Sequence, residues 1–196
     1  FHADDNGEVS VVLEAVCDSF SSLLWDVEYY ECGTFEVYIA ANEKNVSIFK
    51  TGKIVGRNDD KDHYGIIETV KLETSAENGD YLTVTGRFLM SLLSRRIIYP
   101  TLTFSSLTSC GEIVEKAVEK NCINPIFDKA ARKIIGFTTG DITGGCWSRK
   151  RRLQVSYDNL MDWVYQMCEY TGGTANIKLR ETGVNTGKYE FVFELS

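Results

Sequence analysis

The sequence has 196 residues, of which 43% are hydrophobic and 12% aromatic, and this is enough chain to bury a substantial core. The formal net charge of −7 argues against a broad nucleic-acid-binding surface, because phosphate recognition needs clustered positive charge. No apolar run reaches the ~20 residues that span a bilayer, and the polar, acidic start shows no secretory signal.

The sequence pattern changes near Pro100, without a sharp boundary, from a strand-rich part, residues 1–100, to a mixed part, residues 101–196. Each part is long enough for a small domain. The sequence has no initiator methionine and stops one residue after a strand pattern. We therefore expect it to be a fragment of a protein that continues beyond residue 196.

The first part shows alternating apolar residues, the pattern of half-buried strands. This pattern predicts strands over residues 9–15, 23–29, 34–39 and 53–57. The predicted inward-facing residues of the first three are Val9, Val11, Leu13 and Ala15, then Leu23, Trp25, Val27 and Tyr29, then Phe35, Val37 and Ile39.

Residues 62–98 predict a strand, a tight turn, a second strand and a short amphipathic helix. Asn78-Gly79 is well suited to the positive φ angles of a hairpin turn. Gly86 is predicted to release the chain into the helix. Five or six closely spaced strands predict a β-barrel or sandwich. The predicted core-facing residues are Ile66, Val70 and Leu72 on the first strand, Leu82 and Val84 on the second, and Phe88, Leu89, Leu92 and Leu93 on the helix.

The second part predicts two short helices and two strands, so the fold class is α+β and β-rich. Ser109 and Glu112 form a capping-box pattern before a helical stripe, and Asn159 or Asp158 begins a second helix that Gly172-Gly173 ends. A strand follows at Ile177 and Leu179. In the final strand Tyr189, Phe191, Phe193 and Leu195 alternate with Lys188, Glu190 and Glu194.

The groups that usually carry acid–base or covalent chemistry are poorly represented. We expect His2 and His63 to be exposed in an end segment and an acidic turn. Cys146-Trp147 resembles the nucleophile region of papain-like proteases, but no histidine follows it to act as base. The six cysteines contain no CxxC pair and are predicted to be free, mostly buried thiols.

Three polar motifs also lack the features of a specific site. Residues 58–62 (NDDKD) fail as an EF-hand loop, because His63 replaces the glycine and Thr69 the final glutamate, so we predict a turn. Residues 140–145 (GDITGG) match no nucleotide-binding fingerprint and predict a mobile loop. The basic run Arg149–Arg152 predicts a solvated strand edge, with a phosphate-binding patch as the alternative.

The order of segments resembles that of the Reqi-Pepy-type siphovirus tail-protein family of phages and prophages. No single segment is a sharp signature, but their joint order covers nearly the whole chain. The segments that carry the resemblance are DSFSSLLW (18–25), YYECGTFEV (29–37), GIIE (65–68), GDYLTVTGRFL (79–89), LSRRI (93–97), NLMD (159–162), TGG (171–173) and FVFE (191–194).

The resemblance implies a structural tail protein, related to baseplate-hub or tail-tip components and built on a β-barrel with helical insertions. It implies other phage tail proteins as partners, a homo-oligomeric ring in the assembled tail, location in the virion tail, and assembly in the bacterial cytoplasm. It supplies no catalytic, cofactor-binding or metal-binding residue, and it implies no membrane or specific nucleic-acid partner.

Two other hypotheses stay open at this level. A carbohydrate- or receptor-binding module of the tail tip would use clustered aromatic residues, whose candidates are Trp147, Tyr157, Trp163 and Tyr170. The spacing of Trp163 with Leu160 and Met167 favours a helix core for that residue. A tail-associated cell-wall hydrolase is the less favoured alternative, because the usual histidine and cysteine partners are missing.

Overall fold

The computed structural model describes residues 2–3, 9–75, 79–183 and 186–196. The fold is α+β and strand-rich, as predicted. The strands are β1 His2–Ala3, β2 Val9–Ser10, β3 Phe20–Asp26, β4 Thr34–Ala40, β5 Ile54–Arg57, β6 Asp60–Ser75, β7 Gly79–Phe88, β8 Leu102–Ser109, β9 Phe137–Ile142, β10 Lys150–Val155, β11 Ala175–Glu181 and β12 Lys188–Leu195. The helices are α1 Glu43–Ile48, α2 Ser91–Ser94, α3 Cys110–Val118, α4 Lys129–Arg132 and α5 Leu160–Thr171, with a π-helical turn at Glu119–Ile123 and a 3-10 turn at Gly145–Ser148.

Two compact units divide the chain. The first contains Val11–Glu28 and Cys32–Leu89, and the second contains His2–Ser10, Tyr29–Glu31 and Met90–Ser196. A domain boundary near residue 100 stays a prediction.

The first unit is built on one antiparallel sheet in the order β3-β4-β7-β6-β5, curled into a half-barrel. Its core lies on one face, where alternate residues of each strand point inward. The predicted inward face of β4 is confirmed. The buried core residues are Phe35, Val37, Ile39, Phe49, Ile67, Leu82, Val84 and Phe88.

A β-bulge in β6 changes the predicted core of the hairpin. The register between β6 and β7 shifts between Ile67 and Thr69. Because one extra residue reverses the alternation, Ile67 joins Val70 on the core face, and Ile66 pairs with Arg87 on the other face. The prediction that Ile66 shares a face with Val70 was therefore wrong.

Gly86 has a different role from the one predicted. It lies inside β7, where an added Cβ would sit 1.9 Å from the Ile66 carbonyl oxygen and 2.7 Å from the Phe35 ring. On β6, Gly65 is also covered by the Phe35 ring, 2.4 Å from the site of a Cβ. These two glycines make room for a phenylalanine, and the following helix α2 is limited to Ser91–Ser94.

Residues 11–19 are not part of a strand, so the strand predicted over residues 9–15 was wrong beyond β2. Leu13, expected to face inward, is 78% exposed. The strand predicted over residues 23–29 is present as Phe20–Asp26, and it ends before Val27 and Tyr29, both of which are exposed. The turn residue Asn78 lies outside the described residues, and Gly79 has the expected positive φ of 77°.

The second unit combines two sheets with helices. In one sheet β12 lies between β11 and β2, both antiparallel, and also pairs in parallel with β9. The other sheet pairs β8 with β10. Strand β12 is buried on both faces, because Phe191, Val192 and Phe193 are each no more than 3% exposed.

The predicted caps at Ser109, Asn159 and Gly172 are confirmed, whereas the Glu112 carboxylate binds Lys116, so the Glu112 half of the predicted capping box is not shown. The Ser109 hydroxyl accepts a hydrogen bond from the Glu112 amide at 3.3 Å, and Asn159 Oδ1 accepts one from the Met161 amide at 3.0 Å. Gly172 ends α5 in the left-handed conformation. The expected apolar stripe of α3, formed by Ile113, Val114, Ala117 and Val118, is fully buried.

Candidate interaction surfaces

The N-terminal apolar segment, residues 11–27, displays large hydrophobic side chains at the surface of the first unit. Val12, Leu13 and Val16 are 76%, 78% and 73% exposed, and Leu24 and Val27 are at least half exposed. Exposed apolar side chains that follow one another along a segment are typical of protein–protein contact surfaces.

Two contacts anchor the irregular part of this segment, residues 11–19. The Glu14 carboxylate forms an ion pair with Lys53, which precedes the edge strand β5. The Cys17 side chain packs against the core of the half-barrel, and β3 starts three residues later. The exposed residues are therefore held on a defined backbone, although residues 11–19 form no regular structure.

Strand β3 is an edge strand of the half-barrel. It pairs with β4 on one side, and no described strand pairs with it on the other. The opposite edge of the sheet is the short strand β5, which pairs only with β6 among the described strands. Unpaired edges offer backbone groups to a strand from another chain.

An acidic groove of about 560 Å³ lies on the outer face of the same sheet. Its charged lining includes Asp26, Glu36 and Glu68 with a single cation, Arg87. The Arg87 guanidinium forms a bidentate pair with the Glu68 carboxylate, with N–O distances of 2.8–3.2 Å. This hydrogen bonding raises the pKa of Arg87. The other two carboxylates of this lining, Asp26 and Glu36, form no ion pair with another described residue.

A polar cluster closes one end of the half-barrel core. Asp60 accepts hydrogen bonds from the Trp25 indole at 3.1 Å, and its carboxylate lies 2.9 Å from His63 Nδ1. The His63 ring also packs against Phe88, at 5.5 Å between centroids. Burial alone would raise the pKa of Asp60, but the bonds from His63 and Trp25 outweigh it, and the pKa is lowered. The prediction that His63 is solvent-exposed was wrong.

The remaining sequence motifs are placed as structural elements. Of the turn predicted over residues 58–62, only residues 58–59 form a turn, because β6 begins at Asp60. Gly140 lies inside β9, so the predicted loop over residues 140–145 is only its last part. Arg149 precedes β10, and the rest of the basic run lies on that strand, as expected of a strand edge. The side chain of His2 lies outside the described residues.

The six cysteines are thiols rather than disulfides, as predicted, and three of them, Cys110, Cys122 and Cys168, are buried. Burial raises the pKa of both Cys122 and Cys168 to about 12, which keeps these thiols neutral and poorly nucleophilic. Cys146 is partly buried beside Trp147, whose indole donates to the Ser196 carbonyl oxygen at 3.1 Å. Within the described ranges, no three His, Cys, Asp or Glu side chains are grouped so that they could hold a metal ion.

The predicted aromatic surface is only partly present. Trp147 and Trp163 are 1% and 4% exposed, so they belong to the core of the second unit. Sequence reasoning missed a different cluster, in which Tyr99 lies 5.4 Å from Phe127 and 5.9 Å from Tyr157, centroid to centroid. These residues are far apart in the sequence, and no periodic signal links them.

Comparison with known proteins decides the family. The model of the family described as "Siphovirus ReqiPepy6 Gp37-like protein" matches residues 7–195. The chain belongs to this family. The resemblance stated from the sequence is therefore confirmed. None of the curated proteins compared with the Gp37-like chain matches it.

The fold of this Gp37-like chain is similar to that of one solved tail protein. The prophage tail protein gp18 of Listeria monocytogenes EGD-e superposes with a TM-score of 0.53 and 13% identity, over 90% of this chain and 44% of its own.

Two further structures are less similar. The E. coli c3393 protein, described as a type VI secretion component similar to T4 tail proteins gp27 and gp5, has a TM-score of 0.45 and 13% identity, over 89% of this chain and 48% of its own. A tail protein of Neisseria meningitidis MC58 has a TM-score of 0.48 and 11% identity, over 84% and 41%. The chain thus spans less than half the length of these three structures.

In the part of the chain that the structure describes, no helix has both the length and the apolar character required to cross a membrane.

Proposed function

We propose that this Gp37-like chain is a hub or tail-tip component of a phage or prophage tail and acts by self-association and contact with other tail proteins. The observation that carries the proposal is the first unit: a half-barrel whose two edge strands each pair on one side only among the described strands, beside an exposed apolar segment. Family membership and the gp18-like fold support the same assignment.

A ring is the oligomer that this geometry favours. The two edges of the half-barrel, β3 and β5, are different surfaces. Contact between β3 of one copy and β5 of the next would be heterologous, and heterologous contacts close into rings when the rotation allows. In such a ring the curled sheets of successive copies would form the barrel expected from the sequence. Assembly in the bacterial cytoplasm and residence in the virion tail are parts of this proposal.

Sedimentation analysis over a range of concentrations tests self-association. We expect the wild-type chain to associate as its concentration rises, and Leu13→Glu with Val16→Glu to weaken association by about tenfold or more, because two carboxylates would be desolvated at the contact. The matched control is Leu107→Glu, a 61%-exposed leucine of the second unit, which should associate like the wild type. A wild-type chain that stays monomeric throughout, or a double variant that associates normally, would contradict self-association through this segment.

Receptor or carbohydrate binding is the second candidate. The aromatic cluster of Tyr99, Phe127 and Tyr157 favours it, since Phe127 and Tyr157 are 51% and 66% exposed. Stacking on sugar rings would then replace the predicted role of Trp147 and Trp163. A glycan array with purified protein tests this candidate, and responses that Tyr157→Ala leaves unchanged would remove it. We propose that the chain is not an enzyme. A zymogram with host cell wall checks this proposal.

A further inference from the structure

Two arginines of the second unit lie over the ring of one tyrosine. The guanidinium carbons of Arg149 and Arg151 lie 5.3 and 4.6 Å from the centroid of the Tyr170 ring. Tyr170 belongs to the last turn of α5 and is 45% exposed. Cations placed over an aromatic face at these distances are attracted to the ring, so both side chains are oriented before any partner arrives.

Hydrogen bonds of the side chain and of the backbone also hold the two arginines in place. Arg149 donates from its guanidinium to the Tyr170 carbonyl oxygen at 2.6 Å, at the C-terminal end of a helix, where a cation is favoured. Its own carbonyl oxygen accepts from the Cys110 amide at 2.8 Å. Arg151 lies on β10 opposite Thr108 of β8. A preorganised arginine loses little entropy when it binds an anion.

Among the residues that the structure describes, these cations have no acidic partner. Among the described residues, no Asp or Glu forms an ion pair with any member of the run Arg149–Arg152. Carboxylates are abundant, since the chain carries 28 acidic residues. Other cations use them: Arg87 pairs with Glu68, and Arg180 pairs with Glu194. The Arg149 guanidinium uses one donor on the Tyr170 carbonyl oxygen, and a guanidinium group carries five N–H donors, so both arginines retain donors for an anion.

We propose that Arg149, Arg151 and Tyr170 form a docking site for an acidic, extended segment of another protein. A guanidinium group binds a carboxylate through two parallel hydrogen bonds, and Arg with Tyr is the composition of binding hot spots. Strand β10 pairs with β8 on one side only, within the described strands, so its other edge can receive an extended chain. The net charge of −7 repels long polyanions at a distance, which favours a protein carboxylate over nucleic acid.

Fluorescence anisotropy with labelled peptides tests the proposal. The probe is a peptide of alternating Glu and Thr, and its neutral counterpart replaces Glu with Gln. We expect the purified chain to bind the Glu peptide about tenfold more tightly than the Gln peptide. The double variant Arg149→Gln, Arg151→Gln should lose about tenfold in affinity, because it removes both bidentate groups. Tyr170→Leu should lose less, about threefold, since the charges remain.

The strand supplies its own charge-matched control. Lys150 and Arg152 lie on the opposite face of β10 from Arg151, because side chains alternate along a strand. Lys150→Gln with Arg152→Gln removes the same charge and should keep most of the binding. Arg149→Lys with Arg151→Lys keeps the charge without the planar fork, and should still weaken binding. Equal losses in the two Gln double variants, no binding of the Glu peptide, or equally tight binding of a single-stranded DNA oligonucleotide would overturn the proposal.

Discussion

The two units of the chain bury their polar groups in different ways. The first unit has an apolar core on one face of a curled sheet, with its polar cluster of Trp25, Asp60 and His63 at the rim. The second unit buries β12 on both faces and places a polar side chain, Asn121, at the centre of a hydrogen-bond network. Close steric fit around Phe35 characterises the core of the first unit, and the hydrogen bonds of Asn121 characterise that of the second.

The largest expected effect tests steric fit in the first unit. Gly86→Ala should destabilise the protein by about 3 kcal/mol, because the new methyl group would meet the Ile66 carbonyl oxygen and the Phe35 ring. Gly145→Ala is the control in the second unit, where an added Cβ meets nothing within 4 Å, and its effect should stay within about 0.5 kcal/mol. Denaturant unfolding measures both. Equal stabilities of the two variants would contradict the explanation that steric fit around Gly86 stabilises the half-barrel.

A smaller effect tests the buried network of the second unit. Asn121 Oδ1 accepts from the Tyr99 amide at 2.9 Å and from Arg132 at 2.6 Å. Asn121→Ala should cost about 2 kcal/mol of unfolding free energy, because these donors lose their acceptor in a buried place. Asn124→Ala, at an exposed neighbouring position with one bond to Glu119, is the control and should cost much less. Similar losses of unfolding free energy in both variants would show that burial of the network does not add to the stability of the protein.

The smallest expected effect concerns the rim of the first unit. At pH 7 Asp60→Asn should lower the free energy of unfolding by about 1 kcal/mol. The loss is small because the carboxylate is partly exposed to solvent. Because the pKa of Asp60 is lowered in the folded state, the unfolded state binds the proton first as the pH falls. The contribution is thus present above the ordinary pKa of ~3.9 and is lost as the pH falls through the lower, folded pKa.

Unfolding midpoints measured between pH 7 and pH 2 check this dependence. The unfolding midpoint of the wild type should exceed that of Asp60→Asn at pH 7, and this difference should shrink as the pH falls. The exposed Asp141→Asn serves as the control. A difference between wild type and Asp60→Asn that does not change with pH would contradict the assigned role of the carboxylate.

The sequence predicted those elements in which local pattern and environment agree. The inward face of β4 and the caps at Ser109 and Asn159 were recognisable because alternation and capping act over a few residues. Strand β9 was missed because its pairing with β12 joins residues far apart in the chain. The bulge after Ile67 was missed for the same reason: it is defined by the partner strand, and it reverses the face on which Ile66 lies.

The candidate surfaces were less accessible to sequence reasoning than the fold. The basic run Arg149–Arg152 was visible as a motif, but its stacking on Tyr170 depends on where α5 ends relative to β10. The exposure of Leu13 could not be predicted, because alternating apolar residues normally indicate a buried face. The exposure of Leu13 together with Val12 and Val16 favours a contact surface in the first unit.

Electron microscopy of phage particles that carry a label on this chain tests the proposed place in the tail most directly. A structural component of the hub or tip should place the label at the distal end of the tail in every intact particle. Labels found on the capsid alone, or particles that assemble complete tails without the chain, would contradict the account.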